Sequence, residues 1–282
     1  MNRWKIGDVT ITRVVEMETT SKATFVLKDG LPENIRTVPW LRPRFANADG
    51  KVIMSVHAFV IEAPGHRIVV DTCIGNDKRR AFPGWNMLQL PFLADLEKAG
   101  FARESIDRVL CTHLHVDHVG WNTMLVDGKW VPTFPRARYL IGRKEWDHWS
   151  KASEADTREL LADSVRPVFE AGLADLVESD ARISGEVRLE ATPGHTPGHH
   201  SVRISSRGEE AVITGDLMHH PVQMAHPEWG SQFDTDFAQA IATRRAFLER
   251  YGDKPVLVLG THFATPSAGR IVRDGDAWRL EV

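Results

Sequence analysis

Thr112-His113-Leu114-His115-Val116-Asp117-His118-Val119-Gly120 crowds three histidines and an aspartate into six positions, directly after the apolar run Asp107–Cys111. That run has the short, β-branched character of a strand. In an extended chain, residues i and i+2 project to one side, so His113 and His115 can chelate one ion while the following turn aims Asp117 and His118 toward a second. Imidazole and carboxylate donors without thiolate suit zinc, manganese, iron or cobalt, with zinc the default expectation.

Working outward, three further donors each close a strand-like run: His195 in Ala191-Thr-Pro-Gly-His-Thr-Pro-Gly198, Asp216 in Ile213-Thr-Gly-Asp216, and His262 in Leu259-Gly-Thr-His262. Alone, each reads as a turn residue. In the order THLHVDH, TPGHTPGH, TGD, GTH they resemble the metallo-β-lactamase-fold hydrolases, most closely the lactonase and methyl-parathion-hydrolase-like members. The resemblance implies an α/β fold, an αββα sandwich of two central mixed sheets flanked by helices, with a dinuclear metal site at one edge. It implies that His113, His115 and His195 hold one metal, that Asp117, His118 and His262 hold the other, and that Asp216 bridges both. The enzymes that named the fold use a Cys at the second metal; here there is none, which disfavours β-lactamase chemistry. His219, three residues after Asp216, stands where several lactonases have a Tyr that assists the substrate carbonyl. Asp71, in Val-Val-Asp-Thr-Cys, resembles the family's strand-end Asp that orients a metal-binding histidine, and Cys73 stands where the family often has Gly.

The rest of the chain is consistent with one domain over residues 1–282. Its 282 residues carry 35 Lys and Arg against 38 Asp and Glu, a net charge of −3 that excludes a strongly basic nucleic-acid binder. Cys73 and Cys111 are too few for a disulfide scaffold and read as inert core thiols. No export signal or run of 18 apolar residues is present, so a cytoplasmic location without membrane association is expected. Strands are predicted at 8–15, 55–62, 66–71, 107–111, 138–142, 186–191, 200–205, 210–214 and 256–260, with a closing pair near 270–281. Helices are predicted at 91–99, in stretches of 143–163, and over 235–251, where Phe237, Ile241, Phe247 and Leu248 form the apolar side and Arg244 stays wet. Residues 20–50 and 218–234 show no sustained period and read as loops over a site. Trp85, Trp121 and Trp229 fall in loops expected to form an apolar mouth.

These readings converge on a dinuclear metal-dependent hydrolase with two divalent ions. A metal-bridging hydroxide would open lactones or cleave carboxylic esters of partly apolar small molecules. Asp117 would return a proton to the leaving oxygen and His219 would line the reacting centre. Phosphotriester hydrolysis is the alternative, followed by glyoxalase II-type thioester or β-lactam hydrolysis; a metal-free binding protein on the same fold is the non-enzyme alternative. The expected partner is a small-molecule substrate, not nucleic acid or membrane, in a chain that forms a homodimer.

Overall fold

The computed structural model describes residues 2–282. The chain forms two compact units, one from the N-terminus to Glu16 with Val56–Ser179, the other from Met17–Ser55 with Asp180–Val282.

The first unit is built on a seven-stranded sheet ordered β1-β2-β3-β4-β5-β8-β9. Its strands are β1 (Arg3–Ile6), β2 (Val9–Ser21), β3 (Val52–Ala63), β4 (His66–Val70), β5 (Arg108–Cys111), β8 (Arg138–Gly142) and β9 (Ala174–Val177); β6 (Thr123–Val126) and β7 (Lys129–Pro132) form a separate hairpin. Strands β4, β5, β8 and β9 run parallel. Parallel neighbours need crossovers: the one from β4 to β5 contains the helix Phe92–Lys98, the one from β8 to β9 contains Arg143–Trp149 and Ala155–Ser164, and the one from β5 to β8 contains the β6–β7 hairpin. Val69, Val109 and Tyr139 lie in register across this parallel part and are fully buried, as strands covered on both faces require. Because Val70 pairs with Leu110, the chain leaves β4 at Asp71 and β5 at Thr112 from one carboxyl edge, the edge at which open parallel sheets place ligands.

The second unit carries a six-stranded sheet in sequence order: β10 (Val187–Ala191), β11 (His200–Ser206), β12 (Glu209–Ile213), β13 (Val256–Leu259), β14 (Ala268–Asp274) and β15 (Ala277–Glu281). Only β12 and β13 pair in parallel, with Ile213 opposite Leu259. Asp216 and His262 each follow three residues after those strand ends and so leave from one edge. Strand β10 is antiparallel to β11, which is antiparallel to β12, so the turn carrying His195 departs from that same edge.

Three expectations need correction. The segment 20–50 is not a loose cover: Leu27, Ile35, Leu41 and Phe45 are at most 1% exposed and join Val212, Met218, Phe247 and Phe263 in the core of the second unit. Segment 218–234 likewise buries Met218, Val222 and Met224. Their apolar residues lack a period because the backbone changes direction every few residues through short helices such as Pro32–Arg36 and Val222–Ala225. On the helix Phe237–Tyr251, the burial of two residues is reversed: Arg244 is fully buried and Phe237 is 48% exposed. The hairpin β6–β7 went unread, although its turn residues Asp127 and Gly128, both at positive φ, carry the Asp-Gly signature of a two-residue hairpin. Among the described residues, no helix is long and apolar enough to cross a membrane.

Candidate metal centre

In the first unit the candidate donors sit on the turn that follows β5. The His118 N–H donates to His115 O, which folds the segment back on itself and sets the His113 ring 4.6 Å from that of His115 and 4.0 Å from that of His118. Asp117 Oδ1 lies 3.6 Å from His118 Nε2. His113 and His118 are fully buried, whereas His115 and Asp117 are partly open. Two carboxylates outside the motif hold this turn. Asp71, at φ +54°, accepts from the Thr112 N–H and hydroxyl and from His118 Nδ1 at 3.0 Å. Glu145, fully buried, accepts from the Leu114 N–H and from the Trp149 indole, whose ring lies 5.3 Å from that of His115.

The loop entering this region is equally constrained. Cys73 adopts φ +55° and is fully buried, so the backbone there has the left-handed conformation that glycine adopts without strain. A Cβ on Gly120 would stand 1.8 Å from Ile74 O, which leaves glycine as the residue that fits. Glu16 accepts from the Ile74 and Gly75 N–H groups and from the Trp121 indole; burial, opposed by these bonds, lifts its carboxyl to about 6. Burial pushes the Cys73 thiol well up and the Cys111 thiol up to about 12, so neither offers a thiolate near neutral pH.

In the second unit, Asp216 is the hub. Its Oδ1 lies 3.1 Å from His262 Nε2, and its Oδ2 lies 3.4 Å from His195 Nε2 and 3.2 Å from His219 Nε2. All four side chains are at most 5% exposed. The Asp216 N–H donates to His199 Nε2, which leaves the proton of that ring on Nδ1, facing Thr192. His262 Nδ1 donates to Ser55 O at 3.0 Å, and His195 Nδ1 donates to Asp234 Oδ1 at 2.9 Å.

These outer bonds test whether the donors fit metal ions. In His118, His195 and His262 the Nδ1 proton is committed to an oxygen, so Nε2 presents a lone pair. For His195 and His262 that lone pair faces a carboxylate oxygen at hydrogen-bond range, an arrangement that repels unless a cation or proton lies between. Neutral imidazoles grouped with carboxylates, tautomers pinned from behind, are the donor chemistry of a divalent transition metal.

Of the tryptophans expected at the mouth, Trp121 is bound inside by Glu16 and Trp229 is 7% exposed; Trp149 instead places its ring against a donor histidine. Sequence reading also missed Glu145, Asp234 and Arg244. Nothing in an isolated Glu, Asp or Arg distinguishes one that supports a donor from one in solvent.

Among solved structures, the chain resembles AidC, a dizinc quorum-quenching lactonase in complex with a product (TM-score 0.79, 23% identity, 99% of this chain and 96% of that one). It also resembles the hydrolase AbOPH of the beta lactamase superfamily (TM-score 0.82, 23% identity, 100% and 97%). At these identities the likeness establishes the fold, mixed α/β of the metallo-β-lactamase type. In sequence, an N-acyl homoserine lactonase of Bacillus sp. is 24% identical over 166 residues, 58% of this chain and 59% of the relative, and one of Bacillus cereus is 26% identical over 118 residues, 40% of its length. The chain thus spans about half the length of these curated relatives. The model of the metallo-beta-lactamase superfamily matches residues 53–262, from β3 through the last donor histidine, and the chain belongs to that superfamily.

Proposed function

We propose that the chain is a dinuclear metal-dependent hydrolase that opens lactones, N-acyl lactones first among them, or cleaves carboxylic esters of partly apolar small molecules. The observation that carries the reading is the set of histidines whose Nδ1 protons are tied back to oxygen, leaving Nε2 lone pairs beside carboxylates. On this reading His113, His115, His195 and Asp216 form one donor set and Asp117, His118 and His262 the other, with Asp216 shared. Zinc is the ion proposed, two per chain.

Such ions, when bound, supply Lewis acidity for a carbonyl oxygen and bring the acidity of water from about 15.7 toward about 7. The chain's own residues do the rest. Asp117, partly open, would take up the proton released by the attacking water and pass it to the departing alkoxide oxygen. His219, whose Nε2 lies 3.2 Å from Asp216 Oδ2, lines the reacting centre beside that carboxylate. Trp149, half-buried against His115, gives the substrate an apolar wall. The named activity of the Bacillus relatives supports a lactone as first choice among acyl substrates.

A panel of N-acyl lactones, aryl esters, thioesters, phosphotriesters and β-lactams, run on zinc-loaded protein, tests the proposal. The expected outcome is the highest kcat/KM on a lactone or carboxylic ester. Preference for a phosphotriester overturns the substrate class, and a protein that retains no metal after loading overturns the enzyme.

A further inference from the structure

Behind His195 lies a buried ion pair that neither the donor pattern nor the family match explains. Asp234 and Arg244 both have side chains at 0% exposure, with Arg244 Nη2 4.0 Å from Asp234 Oδ2. Asp234 divides its oxygens: Oδ1 accepts from His195 Nδ1 at 2.9 Å and Oδ2 accepts from the Ser231 N–H at 2.8 Å. Its backbone is tied to the same loop, since the Thr235 N–H donates to His195 O and the Asp236 N–H to Gly194 O. Arg244 donates from Nε to Leu217 O, the carbonyl next after Asp216, and from Nη1 to Pro227 O and Trp229 O. One guanidinium therefore stands between the carboxylate that grips His195 and the turn that carries Asp216.

We propose that Asp234, backed by Arg244, is a positioning residue: it keeps the proton of His195 on Nδ1, turns Nε2 toward Asp216, and couples the placement of these two donors. The proposal rests on the metal-site reading only in taking Nε2 of His195 to serve an ion. The division of the carboxylate's partners makes the role specific. The Oδ2 side meets an N–H and a guanidinium, both donors, so an asparagine at 234 must put its carbonyl there and its amide nitrogen against His195 Nδ1. That nitrogen only donates. His195 Nδ1 then has to accept, and its proton moves to Nε2, where it blocks an ion. The substitution preserves shape and burial while inverting one tautomer.

The test is Asp234→Asn, read two ways on the full chain. Long-range 1H–15N correlation spectra of chelator-treated protein, with the His195 resonance assigned by its loss in His195→Gln, report the tautomer. Expected are Nδ1–H in the parent and Nε2–H in Asp234→Asn. Zinc competition against a chromophoric chelator should show affinity falling about 10- to 100-fold in the variant. If the parent itself holds its His195 proton on Nε2, the proposal is overturned even should Asp234→Asn fail to fold. It is also overturned if the variant folds and binds zinc within twofold of a parent that binds zinc and hydrolyses lactones. A parent that turns over no substrate but shows the tautomer switch sinks the proposed function and leaves the positioning role standing.

Discussion

At the scale of single residues, the chemistry turns on which nitrogen of each imidazole carries the proton. Asp71, Ser55 O and Asp234 each accept from an Nδ1, and each belongs to a segment remote in sequence from the histidine it orients. Asp216 is the residue on which the second unit's donors converge, with three histidine Nε2 atoms within 3.4 Å of its carboxylate. Asp216→Ala should therefore lose zinc and turnover together. Elemental analysis of the purified variant beside its kcat/KM checks this, and full zinc content with full activity would remove Asp216 from the site. The histidine cluster, His195, Asp216 and His262 were legible in sequence as candidate donors because they stand in a fixed order after strand ends. Glu145, Asp234 and Arg244 were not, because a supporting residue is defined by what lies opposite it.

At the scale of elements, the loop from Gly75 to Leu90, the β6–β7 hairpin and the helix Ala155–Ser164 meet at Lys78. Its ammonium is fully buried, donates to Thr123 Oγ1 and Asp163 O, lies 3.6 Å from Asp163 Oδ1 and sits 3.7 Å above the Trp130 ring. Burial, against the pull of Asp163, lowers its pKa from 10.5 to about 7. The folded chain thus sheds this proton near pH 7 while the unfolded chain keeps it to 10.5. Between those values the unfolded state binds more protons, so stability from this group rises with pH. Urea unfolding of parent and Lys78→Met should give a free-energy difference that climbs in the parent's favour from pH 7 to 10.5 and is flat below pH 7. A difference independent of pH would place the charge in solvent. Strands β4, β5 and β8 match their predicted bounds to within a residue, since β-branched runs between turn residues need no partner to be recognised; β2 and β3 run beyond the predicted 8–15 and 55–62, and the short edge strands β1 and β9 carry no such run and were not predicted. The hairpin was missed because its strands are half exposed and only four residues each. Arg244 was assigned to solvent on residue type, whereas its helix buries that face on three carbonyls.

At the scale of the whole molecule, ions that bind the folded chain and not the unfolded one add stability by mass action. On the proposed reading, free zinc at about 100 times its Kd should raise the unfolding free energy by about 2.7 kcal/mol, and a chelator should reverse it. Urea midpoints with zinc and with chelator measure this, and coincident midpoints would refute a resident metal. What the amino-acid sequence determined by itself was the superfamily, most of the strands and the candidate donors that follow them, because motif chemistry and β-branched runs are local properties of residue type and spacing. Tertiary structure alone decided which carboxylates and carbonyls stand behind the histidines, that residues 20–50 enter a core, and that Arg244 is inside. Those are contacts between segments up to about two hundred positions apart, as from Ser55 to His262, and no local pattern encodes them.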